Sequence, residues 1–156
     1  RQFAGYSMKR AMSLIQTDVN AALAPFELRM VTFSALVVIA DNPGLKQAQL
    51  ADALSIERPN LVLVVDELER RDLILRDRDP ADRRAYALQV TLAGRRLRDR
   101  AMAAVQDHEK RMTAGLTEDQ RQALIAALRQ IDARLEGAEQ AVRGQVLPRG
   151  GEVARP

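Results

Sequence analysis

Arginines are the side chains in this sequence that are best suited to do chemistry. The 156 residues hold 24 Lys and Arg against 21 Asp and Glu, a formal net charge of +3, and only Lys9, Lys46 and Lys110 are lysines. Arginine stays charged at any physiological pH, and its planar guanidinium donates in pairs to phosphates and to base edges. A GC-rich genome produces the same excess of Arg, so composition alone leaves both explanations open.

The positive charge is concentrated in one stretch of the chain. Residues 70–100 contain ten Arg and five Asp, which gives a local net charge of +5 and leaves −2 for the rest. A focused basic segment is typical of a surface that binds duplex DNA. A solvated, ion-paired loop would carry the same charges, so the elements that hold the segment decide between the two.

Several other functions lack the residues that they need. The chain contains no Cys, which excludes disulfides, thiol nucleophiles and Cys-ligated zinc, and His108 is its only histidine, which excludes HExxH and multi-histidine metal sites. No apolar run approaches the roughly 20 residues of a membrane helix, and no signal peptide is visible. Asp107, His108 and Glu109 are neighbours that do not converge on one point, so we expect no enzyme, no metal and no cofactor.

The positions of the apolar residues predict a mainly α-helical (α+β) chain. A helical stripe ends at Pro25, and a second helix, over residues 27–40, is apolar nearly all round and is therefore expected at the centre of the fold. Two short helices, over 46–54 and 58–71, are joined by a turn of about three residues and form a helix-turn-helix.

After these helices the hydrophobic period changes to that of β-strands. Alternate residues are apolar over 86–90, and we expect this strand to pair antiparallel with residues 73–75, as a wing with a charged tip. Two long helices follow, over 92–115 and 117–142, with Thr91 as the cap of the first and a capping box of Thr117 and Gln120 at the start of the second.

This order of elements predicts four segments. They are an N-terminal dimerisation helix (5–26), a winged helix-turn-helix DNA-binding domain (27–91), C-terminal dimerisation helices (92–143) and a flexible tail (144–156). The first and last helices each carry an apolar stripe, and together the two stripes have more apolar surface than a winged domain of this size can cover. The stripe on the last helix is formed by Leu124, Leu128, Ile131 and Leu135. We expect the two helices to bury them against each other and against a second chain.

The helix over 58–71 has the outward-facing groups of a DNA recognition helix. Once the core positions are assigned, the residues left at its surface are Arg58, Asn60, Leu63 and Glu67. Asn pairs with adenine and Arg with guanine in the major groove. Leu63 fits a contact with a thymine methyl group and, equally, ordinary core packing. Gln47 and Gln49, on the preceding helix, are candidates for phosphate contacts.

The tip of the predicted wing carries two adjacent arginines, Arg83 and Arg84. One of them can enter the minor groove, where the negative potential is strong, while the other pairs with Asp82 and fixes the hairpin. The structural alternative assigns both to ion pairs with Asp79 and Asp82.

Residues 82–94, DRRAYALQVTLAG, resemble the wing signature of the MarR family of transcriptional regulators. That signature is an Asp-x-Arg, a short strand and a Leu-Thr-x-x-Gly-like start of a helix, and Val90 stands here for the usual Leu. The segments LADALSI (50–56) and LERRDLI (68–74) also match, although Asp72 replaces the usual Gly. The similarity extends over about residues 5–142.

The resemblance implies a homodimer of winged helix-turn-helix lobes whose terminal helices interlock. Such a protein binds double-stranded DNA at palindromic operators, often as a repressor, and acts in the cytoplasm at the nucleoid. Many members release DNA when they bind a small molecule such as an aromatic acid, and an acyl-CoA is a further candidate here. Other members sense oxidants through Cys, which this chain lacks.

An effector pocket is expected where the first, second and fifth helices meet. Its candidate lining residues are Met12, Phe26, Arg29, Met30, Phe33, Met102 and His108. Met and Phe form an adaptable apolar wall, and Arg29 or His108 could hold a carboxylate. At helical spacing the same Met and Phe residues serve equally as core, and His108 as a core histidine. The alternative function is an architectural DNA-binding protein without an effector.

Overall fold

Six α-helices and a small sheet make up the described part of the chain. The computed structural model describes residues 3–78 and 86–145, with side chains to residue 135. The elements are α1 (Ala4–Leu23), α2 (Met30–Asp41), β1 (Leu45–Lys46), α3 (Gln47–Ala53), α4 (Arg58–Arg70), β2 (Ile74–Arg78), β3 (Tyr86–Val90), α5 (Leu92–Thr113) and α6 (Glu118–Gln145), with a 3₁₀ turn at Ala24–Phe26. Apart from β1, this is the predicted order. The tail beyond residue 145 lies outside the described residues.

The connection between α1 and α2 is tighter than the sequence indicates. Glu27 adopts the left-handed conformation, with φ of 53°, so the second helix begins three residues later than predicted. The side chain of Asn20 on α1 accepts a hydrogen bond of 2.7 Å from the backbone N–H of Met30. This bond satisfies one of the free donors in the first turn of α2 and joins the two helices.

Helix α2 is the centre of the hydrophobic core, as its all-round apolar character predicts. Five of its twelve residues are buried: Thr32, Phe33, Ala35, Leu36 and Ile39. The neighbouring elements contribute fully buried side chains around it, namely Leu23, Leu50, Leu61, Leu68, Ile74 and Leu88. The helix-turn-helix and the wing are therefore built on one shared core.

The predicted wing is part of a three-stranded antiparallel sheet with the order β1-β3-β2. Strands β2 and β3 pair from Ile74 opposite Val90 to Arg78 opposite Tyr86. The third strand, β1, is only two residues long and places Leu45 opposite Leu88. Two residues are too few to show a period of two, so the sequence pattern did not reveal this strand.

Several hydrogen bonds to backbone atoms join the end of α4 to the start of α5. Asp72, just after α4, has φ of 54°, and the N–H of Leu73 donates to the carbonyl of Leu68 over 3.0 Å, as at many helix ends. The Thr91 hydroxyl oxygen accepts from the N–H of Gly94 and donates to the carbonyl of Asp72. Thr91 is thus the predicted cap of α5, and it also holds the exit from α4.

The left-handed backbone at Asp72 leads to a stability prediction. Glycine pays no Cβ penalty at such a position, so Asp72→Gly is expected to raise the free energy of unfolding by about 0.5–1 kcal/mol. The measurement is urea unfolding followed by circular dichroism. Asp52→Gly, within α3, serves as the control because a helical Asp gains nothing from Gly. A stability at or below wild type for Asp72→Gly would contradict the assigned role of this backbone conformation.

The described residues form two compact units, one ending at Met112 and one beginning at Thr113, and α6 is described by itself. The predicted capping box at its start is present: Gln120 Oε1 accepts from the N–H of Thr117, and the Thr117 hydroxyl accepts from the N–H of Gln120. Hydrogen bonds from Arg121 and then Gln122 lower the pKa of Glu118 to about 2. The four-segment division of the chain stays a prediction.

The apolar stripe on α6 is exposed within the single chain, and its burial against a second chain stays a prediction. The exposed fractions are 47% for Leu124, 43% for Leu128, 39% for Ile131 and 62% for Leu135. Phe3, which caps α1, and Tyr6, Met12 and Leu14 on α1 are also exposed. Within the described residues no single helix is long and apolar enough to cross a membrane; α1 and α2 meet that test only as a pair bent by 69°, and α2 forms the core.

Candidate nucleic-acid interface

The turn between α3 and α4 is fixed by local hydrogen bonds. Ser55 adopts the left-handed conformation, and the N–H of Ile56 donates to the carbonyl of Ala51 over 3.0 Å. Pro59 occupies the first turn of α4, where its missing N–H has no helical partner to lose. The turn therefore sets the angle at which the N-terminal end of α4 leaves the core.

The outward face of α4 carries groups that can contact bases. Arg58 and Asn60 are exposed at its N-terminal end. Leu63 is 68% exposed, which excludes the alternative of core packing within the chain, whereas its neighbours Leu61 and Val64 are buried. An exposed Leu between polar groups suits contact with an apolar group such as a thymine methyl.

A shallow groove of about 350 Å³ lies beside the N-terminal ends of α3 and α4. Its lining residues are Gln47, Ala48, Arg58, Pro59, Leu61 and Val62. Gln47 and Arg58, two of the predicted contacts, are thus on one continuous surface. The side-chain oxygen of Gln49 accepts from the N–H of Lys46 over 2.9 Å, which leaves its amide N–H₂ as the group free to donate to a phosphate.

Two residues that sequence analysis assigned to different sites are partners in the structure. Arg29 Nη2 donates to Glu67 Oε2 over 2.7 Å and so links the start of α2 to the recognition helix. The carboxylate of Glu67 is therefore occupied, and in addition it would repel phosphates. Residues 38 positions apart give no local signal of such a pair. We therefore leave Glu67 out of the proposed DNA surface and Arg29 out of the proposed pocket.

Arg76, which sequence analysis missed, ties the wing to α4. Its guanidinium forms ion pairs with Glu69, at 2.5 Å, and with Asp66, and it is 21% exposed. Because Ile74 and Arg76 are on the same face of β2, the strand alternation places a cation on the inner face of the wing. A cation on the inner face needs acidic partners, so the strand alternation could have indicated from the sequence that Arg76 forms ion pairs.

The arginines of residues 70–100 divide into two groups. Arg71, Arg76 and Arg98 are committed to internal hydrogen bonds or ion pairs, and Arg100 lies 5.6 Å from the centre of the Phe26 ring. Within the described part of the chain, Arg70, Arg78, Arg95 and Arg96 are exposed and have no ion pair. Arg83, Arg84 and Asp82 lie outside the described residues, so their roles at the wing tip stay predictions.

The proposed effector pocket is only partly assembled in the single chain. Phe26, Met30 and Met102 are half-buried against the core, but Phe33 is a core residue and Met12 is 53% exposed. His108 is buried, and its Nδ1 is 2.7 Å from Asp18 Oδ2 on α1. This hydrogen bond is what a core histidine requires, so it favours the structural role of His108.

A helix-turn-helix joined to a wing and followed by long helices defines a winged helix-turn-helix protein. The sequence model of the MarR family matches residues 28–86. The HTH-type transcriptional repressor Mb2911 of Mycobacterium bovis is 31% identical over 116 residues, which are 74% of this chain and 84% of that protein. The chain belongs to the MarR family of transcriptional regulators.

Other comparisons agree with this assignment. A transcriptional regulatory protein for the hcr operon of Thauera aromatica is 39% identical over 99 residues, which are 64% of this chain and 60% of that protein's length. The solved structure of the transcriptional repressor CouR bound to a 23-mer DNA duplex is 39% identical, with a TM-score of 0.81 over 84% of this chain and 93% of that one. CouR bound to p-coumaroyl-CoA is similar at 37% identity, with a TM-score of 0.78 over 84% and 92% of the two chains.

Proposed function

We propose that this protein is a sequence-specific repressor that binds palindromic operators as a homodimer. The observation that carries the proposal is the exposed face of α4, where Arg58, Asn60 and Leu63 stand on a helix held by the core and by the wing. Its relative CouR has been solved on a DNA duplex. The chain acts in the cytoplasm at the nucleoid, and we assign it no enzymatic activity.

The exposed apolar stripes support the homodimer. Leu124, Leu128 and Leu135 lie on one face of α6 with 47%, 43% and 62% of their surface exposed, and a second copy that buries this remainder gains roughly half of the 1.5–3 kcal/mol of a whole Leu side chain for each. In a symmetric dimer the two recognition helices face successive turns of the duplex, and a palindromic operator matches that symmetry.

We propose a carboxylate or CoA thioester as the effector, bound near the half-buried Phe26, Met30 and Met102. Its support is the chemistry of this apolar wall and the p-coumaroyl-CoA complex of CouR. An effector that binds the DNA-free form more tightly than the DNA-bound form lowers operator affinity by the ratio of the two affinities. A thermal-shift screen of aromatic acids and their CoA thioesters tests this proposal, and the absence of any shift would favour the alternative of an effector-independent architectural protein.

The test of DNA reading is the substitution Asn60→Ala. Loss of a bidentate amide contact with adenine is expected to weaken binding to the preferred duplex by about 1–3 kcal/mol per half-site and to relax the preference at that base pair. The duplex is selected by the wild-type protein from a random pool, and affinity is measured by fluorescence anisotropy at fixed salt. Binding to random DNA is expected to change little.

The control for Asn60→Ala is Gln106→Ala, an exposed amide on α5, outside the helix-turn-helix and the wing. It is expected to leave both affinities unchanged. An equal loss on preferred and random DNA for Asn60→Ala would show that Asn60 contacts only the backbone. A ratio of preferred to random affinity near one for the wild-type protein would favour the architectural alternative.

A further inference from the structure

The C-terminal end of the recognition helix is fastened to the connection between α1 and α2. Arg71, which directly follows α4, donates from Nη1 to the carbonyl of Glu27 over 2.5 Å and from Nη2 to the carbonyl of Phe26 over 3.1 Å. Its side chain is 22% exposed, and the Glu27 carboxylate lies 3.6 Å from Nη2. The planar guanidinium thus bridges two successive carbonyls, which a single-point donor cannot do as well.

The same connection receives contacts from both neighbouring long helices. Phe26 lies under the guanidinium of Arg100 on α5, and Asn20 of α1 caps the first turn of α2. The connection is also tight and anchored in the core, because a 3₁₀ turn is followed by the left-handed residue Glu27 and by the buried Leu28. It therefore links the helices predicted to form the dimer with the helix predicted to read DNA.

Two side-chain contacts join α4 to this region, Arg71 and the Arg29–Glu67 ion pair, and Arg71 is better placed to fix the orientation of α4. The Arg29–Glu67 ion pair is more open, with Arg29 62% exposed, and exposed pairs contribute little to a fixed geometry. Arg71 is partly buried and binds main-chain atoms, whose positions are set by the fold. Its charge faces the connection and so is not presented to a duplex.

We propose that Arg71 is a positioning residue that sets the orientation of the recognition helix relative to α1 and α5, and through it the half-site spacing that the dimer accepts. This inference rests on the proposed function, since only a dimer with two recognition helices measures a spacing. In such a dimer a fixed angle of each recognition helix fixes the separation of the two half-sites. A recognition helix that is held less firmly can turn to reach half-sites at other separations with little loss of binding free energy.

The test compares Arg71→Met, which keeps the apolar stem and removes the donors, with wild type. The DNA is the duplex that the wild-type protein selects from a random pool, together with versions in which one base pair is added or removed between the half-sites. We expect wild type to prefer the original spacing by about 100-fold, and Arg71→Met by about 10-fold or less. Arg71→Lys is expected to restore part of the preference, because one ammonium reaches the same carbonyls with less geometric control.

Three readouts separate positioning from other roles. Thermal unfolding confirms that each variant is folded at the binding temperature, and Arg70→Met, at the exposed neighbouring Arg, is expected to keep the spacing preference. The salt dependence of Arg71→Met binding is expected to equal that of wild type, because Arg71 does not neutralise a phosphate. The proposal would be overturned if Arg71→Met kept the wild-type spacing preference. It would also be overturned if Arg71→Met lost the same affinity on every duplex and showed a weaker salt dependence, as a lost phosphate contact does. Failure of the wild-type protein to select any duplex would instead refute the proposed function.

Discussion

Replacing Gly94 with Ala is expected to destabilise the protein by about 3 kcal/mol or more. A Cβ at this position would lie 2.0 Å from the carbonyl oxygen of Leu73 and 2.9 Å from Cγ2 of Val90. The nearer atom belongs to the backbone, so no change of rotamer relieves the contact. The start of α5 or the exit from α4 would have to move.

Leu73 has little freedom to move away. Its N–H donates to Leu68, and its carbonyl accepts from the N–H of Thr91 over 3.0 Å and from the Thr91 hydroxyl over 3.2 Å. The same hydroxyl caps α5 through Gly94. A shift at Gly94 therefore disturbs the end of the recognition helix, the base of the wing and the cap of α5 together.

The measurement for Gly94→Ala is urea unfolding followed by circular dichroism. Gly5→Ala is the matched control: Gly5 is in the first turn of α1, nothing beyond the backbone of its own helix lies within 4 Å of an added Cβ, and Ala is expected to gain up to about 0.5–1 kcal/mol. We expect the two substitutions to have opposite signs. A stability of Gly94→Ala within about 0.5 kcal/mol of wild type would show that the backbone junction is softer than its hydrogen bonds indicate.

The sequence was sufficient for elements whose signal is local. The stripe of α4, the alternation of β3 and the caps at Thr91 and Thr117 each depend on residues within one or two helical turns, and the structure confirms them. The pattern from Thr91 to Gly94 also resembles a family signature. The structure supplies the physical reason for it, which is a hydroxyl cap and a position without room for a Cβ.

The parts that the sequence did not reveal depend on distant partners. The sequence is compatible with Leu63 either in the core or at the surface, and only the packing of α4 places it at the surface. The pairing of Arg29 with Glu67 and the bridge from Arg71 to residues 26 and 27 join segments about 40 positions apart. The net charge of a segment counts every Arg equally. In the structure several of these arginines form internal hydrogen bonds or ion pairs, while others are exposed.

The second large effect is expected from Leu124→Lys combined with Leu128→Lys on α6. Both side chains are exposed in the single chain and stand one turn apart on the apolar stripe. In a symmetric dimer each substitution acts twice, each lost Leu removes roughly 1 kcal/mol of burial, and each Lys adds the cost of a charge in an apolar contact. We expect dimer affinity to fall at least about 1000-fold, so the variant is a monomer at micromolar concentration. Sedimentation equilibrium measures the mass directly.

The control for the α6 variant is Ala126→Lys combined with Ala133→Lys, which adds the same charge to the opposite face of α6. This variant is expected to remain a dimer with wild-type affinity for a palindromic duplex. The Leu124 and Leu128 variant is expected to bind a palindromic duplex no better than a duplex with one half-site, because its two recognition helices are no longer joined. A wild-type monomer at micromolar concentration, or equal effects of the two double variants, would contradict the assignment of the α6 stripe to the dimer. If the stripe is the interface, dimerisation and operator affinity fall together only when the apolar face is changed.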